Sequence, residues 1–425
     1  MGANITADAT ATENTSAVKA HVGGSAGAPL PPAGELPNVV FLSAVHPEML
    51  PPLYFISAVL AREGCSVDVF CFSSRATDRM ADVSGVHIHD CGQHTGSWFQ
   101  RFRARRAFHH AAAARIHDRR PVVIMAADPF SYLQALRLSA GQIPVVYVVL
   151  ELYAHEWHDV LRSPMTTLRS RRALSCLREA ALVCAPSPER SAWLAAKASL
   201  DKLPDVVLNA PSMVPQADAE DAEVASGVRS LERLRGRTIV LNSGNVSRSQ
   251  AIVELIDSVE FWPSAACLVV TNVGDSTYAA EVRKHAESST RRGDIVLLPL
   301  LPRREMLALQ RLATVGMCLL RERDNMETRM PAPNKVGEYL HAGLIVVGIR
   351  MPFLDRLEQH RVAVLANRID SRDISAAVTT AIARARDPAT RKHIREVATT
   401  WYCMENQARP ILEIVREASR SGSGK

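Results

Sequence analysis

Short apolar runs alternate with longer amphipathic stretches along most of the 425-residue chain. Val39-Val40-Phe41-Leu42-Ser43 is an unbroken apolar run of strand length, and such a run reads as a strand buried on both faces. A loop with Pro47, Pro51 and Pro52 follows, then an apolar helix over 53–63 that Gly64 stops, then a strand over 66–72. Strand, helix, strand in that order predicts a parallel pair joined by a right-handed crossover. The alternation continues with strands predicted at 86–89, 121–126, 144–150, 182–185 and 205–208. Helices fall between them at 97–118, 130–139, 167–180 and 188–197. A stretch over 204–223, with Pro211, Pro215 and a run of Ala, Asp and Glu, reads as a linker. A second series then begins. It has strands at 238–243, 267–271, 295–298, 315–320, 345–348 and 363–365. Its helices lie at 250–259, 278–287, 304–311 and 334–342, and long helices finish the chain.

The pattern predicts an α/β protein of two Rossmann-like β/α/β domains facing across a cleft. The tail over 1–37 is rich in Ala, Gly, Thr, Ser and Pro and reads as disordered. The expected organisation is an N-terminal domain over 38–205, a C-terminal domain over 206–400 and a helix over 401–418 crossing back to the first domain. In open parallel sheets ligands bind beyond the carboxyl ends of the strands, so the cleft is the expected site.

Composition narrows the classes. The 50 Lys and Arg against 44 Asp and Glu give a net charge of +6, which suits an anionic ligand or surface but is too slight to argue for nucleic acid. The eight cysteines form no C-x-x-C pair, and most sit in apolar runs. Buried free thiols in a reducing cytoplasm therefore fit better than a disulfide framework or a zinc site. No apolar run reaches the 18 residues expected of a spanning helix, and the first residues lack the signature of a secretory signal. There is no G-x-x-x-x-G-K-[ST] loop and no D-x-D triplet. Neither a P-loop ATPase nor a carboxylate-held Mg²⁺ or Mn²⁺ is expected, nor any other cofactor.

The most informative stretch is Pro331-Ala332-Pro333-Asn334-Lys335-Val336-Gly337-Glu338-Tyr339, running on through His341-Ala342-Gly343 to the strand Ile345-Val346-Val347-Gly348. Pro333-Asn334 suits a loop-to-cap transition. The helix N-terminus beyond it offers free N–H groups and partial positive charge to a diphosphate, and Lys335 adds a formal charge. Glu338, one turn further on nearly the same face, is a carboxylate that could accept two ribose hydroxyls. Gly343 fits the left-handed residue that ends a helix. Gly244 and Asn245, after the strand over 238–243, would let donor phosphates approach the backbone.

This stretch resembles the P-N-K-x-x-E-Y-x-x-x-G-x-P-V-V segment of GT-B glycosyltransferases, above all the large retaining family 4-like group. Weaker resemblances at 147–153, 206–211, 238–259 and 401–414 extend it over roughly 38–418. The resemblance implies transfer of a sugar from a nucleotide-diphosphate sugar to a hydroxyl acceptor, in bacterial polysaccharide or glycolipid synthesis, without a metal. It implies donor contacts from Glu338, Lys335, Asn334, Gly244 and Asn245. Three positions depart from the group. Met330 stands where many members have a first Glu, Gln250 where they have a basic residue, and Leu150 where the strand often ends in His. Arg248 and Arg329 are the nearby candidates to replace the missing charge. Arg303 and Arg304 fall where relatives hold the base, though a surface role is expected of both. The departures keep two alternatives open: a non-catalytic binding or scaffold subunit of the same fold, and a sugar-nucleotide 2-epimerase.

In the first domain, Glu151 and His155 follow a buried strand and are the candidates to take the acceptor hydroxyl's proton. The run His155-Glu156-Trp157-His158 lacks the i,i+4 histidine pair of a zinc helix, so no metal is expected there. The stretch over 98–120 carries seven Arg and one Asp with Trp98, Phe99, Phe102 and Phe108 interleaved. It reads either as a solvated helix with an ordinary core face or as a contact with an anionic membrane surface, which a lipid-linked acceptor would require. A cytoplasmic chain, peripheral at the inner face of the membrane, is the corresponding expectation.

Overall fold

A computed structural model describes residues 37–47, 50–73, 83–93, 97–151, 164–213, 236–321 and 330–422. Residues 36–425 form one compact unit. His155, His158, Arg329, the second half of the 204–223 linker and nearly all of the 1–37 tail lie outside the described residues.

The first half of the chain runs β1 (Asn38–Leu42), α1 (Pro51–Arg62), β2 (Ser66–Ser73), β3 (Val86–Gln93), α2 (Trp98–Arg119), β4 (Val123–Ala126), α3 (Pro129–Ser139), β5 (Val145–Val148), α4 (Pro164–Ser175), β6 (Leu182–Ala185), α5 (Pro188–Ala198) and β7 (Asp205–Val206). Its seven strands are parallel, in the order β3-β2-β1-β4-β5-β6-β7. The second half runs β8 (Thr238–Asn242), α6 (Ile252–Ser258), β9 (Ala266–Val270), α7 (Thr277–Ser288), β10 (Ile295–Leu297), α8 (Arg303–Leu312), β11 (Val315–Cys318), α9 (Asn334–Ala342), β12 (Ile345–Ile349), α10 (Pro352–Gln359) and β13 (Ala363–Ala366). It forms a second parallel sheet in the order β10-β9-β8-β11-β12-β13. The chain closes with α11 (Ser371–Ala385), α12 (Pro388–Trp401), α13 (Met404–Gln407) and α14 (Arg409–Gly422).

Each sheet reverses its strand order once, between β1 and β4 and between β8 and β11. At such a point the two neighbouring crossovers leave in opposite directions and a crevice opens above the carboxyl ends. The β1 side chains show why the strand is apolar throughout. Val39 and Phe41 enter one core with Leu53 and Leu60 of α1, while Val40 and Leu42 enter another with Phe108 of α2 and Tyr132 of α3. Each fully buried aliphatic or aromatic side chain of this kind contributes about 1.5–3 kcal/mol.

The return to the first sheet is built differently from the expected single helix over 401–418. The chain leaves α12 at Trp401, and Met404 N donates to the Pro211 carbonyl (2.9 Å) before α13 and α14 begin. Pro410 cannot supply the N–H of a continuous helix and so sits in the first turn of a new one. Met404, Ala408, Ile411, Leu412 and Val415 then pack into the core that holds Val39, Phe41 and Leu53. Their helical spacing seals one face of the first sheet.

Candidate active site

The crevice of the second sheet gathers most of the predicted donor residues. β8 ends in Asn242, and Gly244 follows with φ +98°, a conformation open to glycine but costly for other residues. Pro333 caps α9 from an extended backbone, so Asn334 is the first helical residue and not the cap that the sequence suggested. Gly343 ends the helix at φ +82°, as expected.

Lys335 points from the first turn of α9 back to the Gly244 loop. Its Nζ donates to Gln250 Oε1 (2.8 Å) and lies 3.3 Å from Asn242 Oδ1. A Cβ added at Gly244 would sit 3.9 Å from Lys335 Cδ, so loop and side chain are in contact. Burial pushes the Lys335 pKa below its ordinary value, and among the described residues no carboxylate pairs with it. A desolvated ammonium held only by neutral oxygens is unfavourable until an anion joins it. Two more polar atoms beside it, Asn242 Nδ2 and Asn334 Oδ1, are buried with no partner among the described residues.

Tyr339 fixes this loop. Its hydroxyl accepts from Ser243 N (2.8 Å) and lies 2.9 Å from Ser243 Oγ, and burial pushes its pKa up. The ring fits because residue 316 is glycine; a Cβ there would come within 2.3 Å of the ring. Gly337 likewise lets α9 lie against Pro211 and the Tyr402 ring, where a Cβ would meet Pro211 Cδ at 2.6 Å.

Glu338 is nearly buried and already engaged. Arg303 of α8 donates to its Oε1 and Gln310 of α8 to its Oε2 (2.9 Å). Arg303 is therefore a half-buried partner of the acid and not the free surface residue expected. Its Nη2 is buried without a partner among the described residues. An ionised carboxylate has about four lone-pair positions, so Glu338 keeps capacity for further donors while these two bonds fix its orientation.

The other candidates divide. Arg248 is turned to Glu281 and lies 5.0 Å from the Tyr278 ring centre. Asn245 is exposed in the turn, and Glu151 is half-buried beyond β5. Gln250 and Met330, which looked like gaps, have tasks: Gln250 holds Lys335, and the Met330 carbonyl accepts from Arg190 Nε (2.7 Å). Arg190 is buried on α5 and also donates to the Leu150 carbonyl (2.7 Å). It ties the end of β5 to the loop that enters α9. Glu189–Arg356, from α5 to α10, and Asn209 Nδ2 to the Ala332 carbonyl (2.8 Å) are further ties between the halves. The carboxyl edges of the two sheets therefore face each other.

Residues 53–209 match the family model described as Glycosyltransferase Family 4. The chain carries a glycosyltransferase family 4 domain. The matched span lies in the half built on the first sheet, outside the 331–348 stretch that carried the resemblance in sequence. No curated protein matches the chain. Among solved structures, sucrose-phosphate synthase from Thermosynechococcus elongatus is similar at TM-score 0.67 and 15% identity, over 90% of this chain and 100% of that one. HepE of Anabaena in complex with UDP and glucose is similar at 0.65 and 14%, over 89% and 99%. A Listeria monocytogenes protein described as a UDP-N-acetylglucosamine 2-epimerase is similar at 0.60 and 12%, over 90% and 97%. At such identities the likeness gives the fold, which is GT-B. The family domain on this fold makes the chain a GT-B glycosyltransferase.

Proposed function

We propose that this glycosyltransferase takes its sugar from a nucleoside diphosphate sugar held at the β8–β11 crevice and passes it to a hydroxyl acceptor held by the first half. The observation that carries the reading is the half-buried Lys335 ammonium, which among the described residues touches only neutral oxygens, beside the Gly244 loop at a helix start. A diphosphate would bring the missing negative charge, and its oxygens would take the Asn242 amide and the free N–H groups of α9. Glu338, oriented by Arg303 and Gln310, would accept the ribose hydroxyls. The solved relative HepE binds UDP, which makes UDP the first ligand to try.

The same group of residues would stabilise the leaving diphosphate as the glycosidic bond breaks, the largest contribution expected in a site without a metal. Glu151 is our candidate for the group that receives the acceptor proton. Exposed Phe99 and Phe102 on α2 and Met165 and Leu168 on α4 stand among arginines and favour a peripheral place on an anionic membrane with a lipid-linked acceptor. Among the described residues no helix is long and apolar enough to cross a membrane.

Thermal-shift titration with UDP, GDP, ADP and TDP tests the reading. One nucleotide is expected to stabilise the protein, and Glu338→Ala is expected to remove most of that effect. A stabilisation that survives the substitution refutes the ribose assignment. Met330, uncharged where many family members carry an acid, favours a non-catalytic binding subunit as the second reading. Nucleotide binding without hydrolysis or transfer of any nucleotide sugar would establish it.

A further inference from the structure

Met330 stands at the head of the segment that leads into α9, yet its side chain belongs to the other half of the molecule. It is half-buried and packs against the first-half core that holds Tyr132 of α3, Tyr147 of β5 and Leu194 of α5. Its carbonyl accepts from Arg190 Nε of α5 (2.7 Å). That bond forms whatever side chain stands at 330, whereas the packing requires an apolar one. The next residues are Pro331-Ala332-Pro333, and Lys335 follows two positions beyond Pro333. Each proline ring fixes its own φ near −65° and restricts the residue before it, so the link is short and stiff. Its middle is pinned as well, because the Ala332 carbonyl accepts from Asn209 Nδ2 (2.8 Å). We propose that Met330 is a positioning residue: docked on the first-half core, it sets the first turn of α9 and through it the place of Lys335 at the nucleotide.

The departure at 330 then has a physical reason. An acid belongs to the family pattern there, but a carboxylate finds no hydrogen-bond donors in an apolar cluster and is costly to desolvate. Methionine is unbranched and fits such a surface without a demanding shape. The gap in the pattern is in this sense an exchange, in which a charge is given up and an attachment between the halves is gained. Because the prolines leave the link little slack, an undocked Met330 also frees the start of α9. The Nζ contacts to Gln250 and Asn242 depend on that start, since Lys335 is only its second residue.

The nucleotide part of this inference rests on the proposed function, while the docking of the link does not. The full chain would be compared as wild type, Met330→Gln, Met330→Ala and Met330→Leu by calorimetric titration of UDP. Glutamine keeps the length and loses the apolar character, and leucine keeps the apolar character. A link docked a tenth of the time binds about tenfold more weakly, so Met330→Gln and Met330→Ala should each lose about tenfold in UDP affinity. Met330→Leu should stay within about twofold of wild type, and Met330→Ala serves if the Gln variant misfolds. In a Lys335→Met background Met330→Gln should cost less than about twofold, because the position acts through that ammonium. Amide hydrogen exchange without nucleotide provides the second readout: Met330→Gln should quicken exchange over 334–342 and leave β8 and β9 as protected as in wild type. Wild-type UDP affinity in the Gln and Ala variants, a Leu variant as impaired as they are, equal losses in both backgrounds, or exchange quickened throughout the chain overturns the proposal. If UDP, GDP, ADP and TDP all fail to bind wild type, the donor reading falls and exchange alone decides. Quickening confined to 334–342 in the Gln variant and absent from the Leu variant would leave the anchor standing, and unchanged exchange would remove it.

Discussion

Lys335→Met separates a ligand-holding lysine from a structural one, because the two give opposite signatures. In the free protein the ammonium is half-buried against Gln250 Oε1 and Asn242 Oδ1, and its lowered pKa means that desolvation outweighs those contacts. Methionine fills nearly the same volume without the charge. The relief of burying no ammonium is opposed by two amide oxygens losing a donor, at about 1–3 kcal/mol for each that stays dry. The terms oppose, so the melting temperature should move by no more than about 2–4 °C, the shift that about 1 kcal/mol produces in a protein half this size. Binding has no such cancellation. A hydrogen bond between charged groups is worth about 1.5–3 kcal/mol, so UDP affinity should fall roughly 10- to 150-fold. Calorimetric titration of UDP at neutral pH measures the loss, and a melting curve measures the control. The pH dependence carries a sign as well. A diphosphate favours the charged form, so wild-type affinity should decline as pH rises through the lowered lysine pKa, and Lys335→Met should flatten that decline. UDP affinity within twofold of wild type, or a lost affinity explained by a melting temperature fallen by 10 °C or more, would refute the assignment.

Arg115→Met should destabilise the protein by about 3 kcal/mol at neutral pH in urea unfolding, because it strips a bidentate partner (2.8 and 2.9 Å) from fully buried Asp68 and leaves only His89 at 2.7 Å. Burial alone would raise the Asp68 pKa, but the bonds from Arg115 and His89 hold it below the ordinary value. Its contribution is therefore complete above about pH 4 and is lost as pH falls through the depressed value, so the gap between variant and wild type should narrow on acidification. Gly316→Ala should cost at least about 1–3 kcal/mol and weaken UDP binding together, since its Cβ displaces the Tyr339 ring that holds Ser243. Gly274→Ala, where an added Cβ meets nothing within 4 Å, is the matched control and should change stability by less than about 0.5 kcal/mol. Tyr339→Phe should cost about 1–3 kcal/mol by leaving Ser243 N–H buried and unpaired, measured by the same unfolding.

Chain-local signals were legible in the sequence, and pairings across long separations were not. The strand over 182–185 and the helix over 334–342 have the predicted bounds because each is bracketed by turn residues and has one unambiguous period. The helix Pro352–Gln359 was not anticipated, since eight residues give too few turns for an apolar stripe to stand out. The single crossing helix was overdrawn for a related reason: the apolar spacing over 401–414 is continuous, and only Pro410 and the Pro211 contact show that the backbone restarts. Among the candidate donor residues, Lys335 and Glu338 follow from their place on α9 in the sequence. Their partners do not, because Gln310 and Arg303 lie 28 and 35 residues away and Gln250 lies 85 away. A surface role for Arg303 followed from its charge alone, and the acid that pairs with it is visible only in three dimensions.

The three departures from the family pattern illustrate how a substitution is misread one position at a time. Gln250 in place of a basic residue looks like a lost charge. Beside Lys335 it becomes an acceptor that positions the one remaining ammonium described there, and a second cation at 250 would repel that ammonium at the 2.8 Å now occupied by a hydrogen bond. Leu150 and Met330 look like lost polar side chains, yet both contribute backbone carbonyls to buried Arg190, at 2.7 Å each. A five-donor guanidinium can join two chain segments in this way whatever their side chains, and the positions it uses are free to vary in sequence while the geometry stays fixed. Arg190→Met should therefore harm both halves at once: it would leave two carbonyls of the carboxyl edges unpaired and loosen the approach of β5 to the loop before α9. Small-angle scattering with and without UDP would read that loosening as a larger radius in the variant that the nucleotide fails to reduce. An unchanged radius in both states would show that Glu189–Arg356 and Asn209 suffice to hold the halves, and that Arg190 is a local brace.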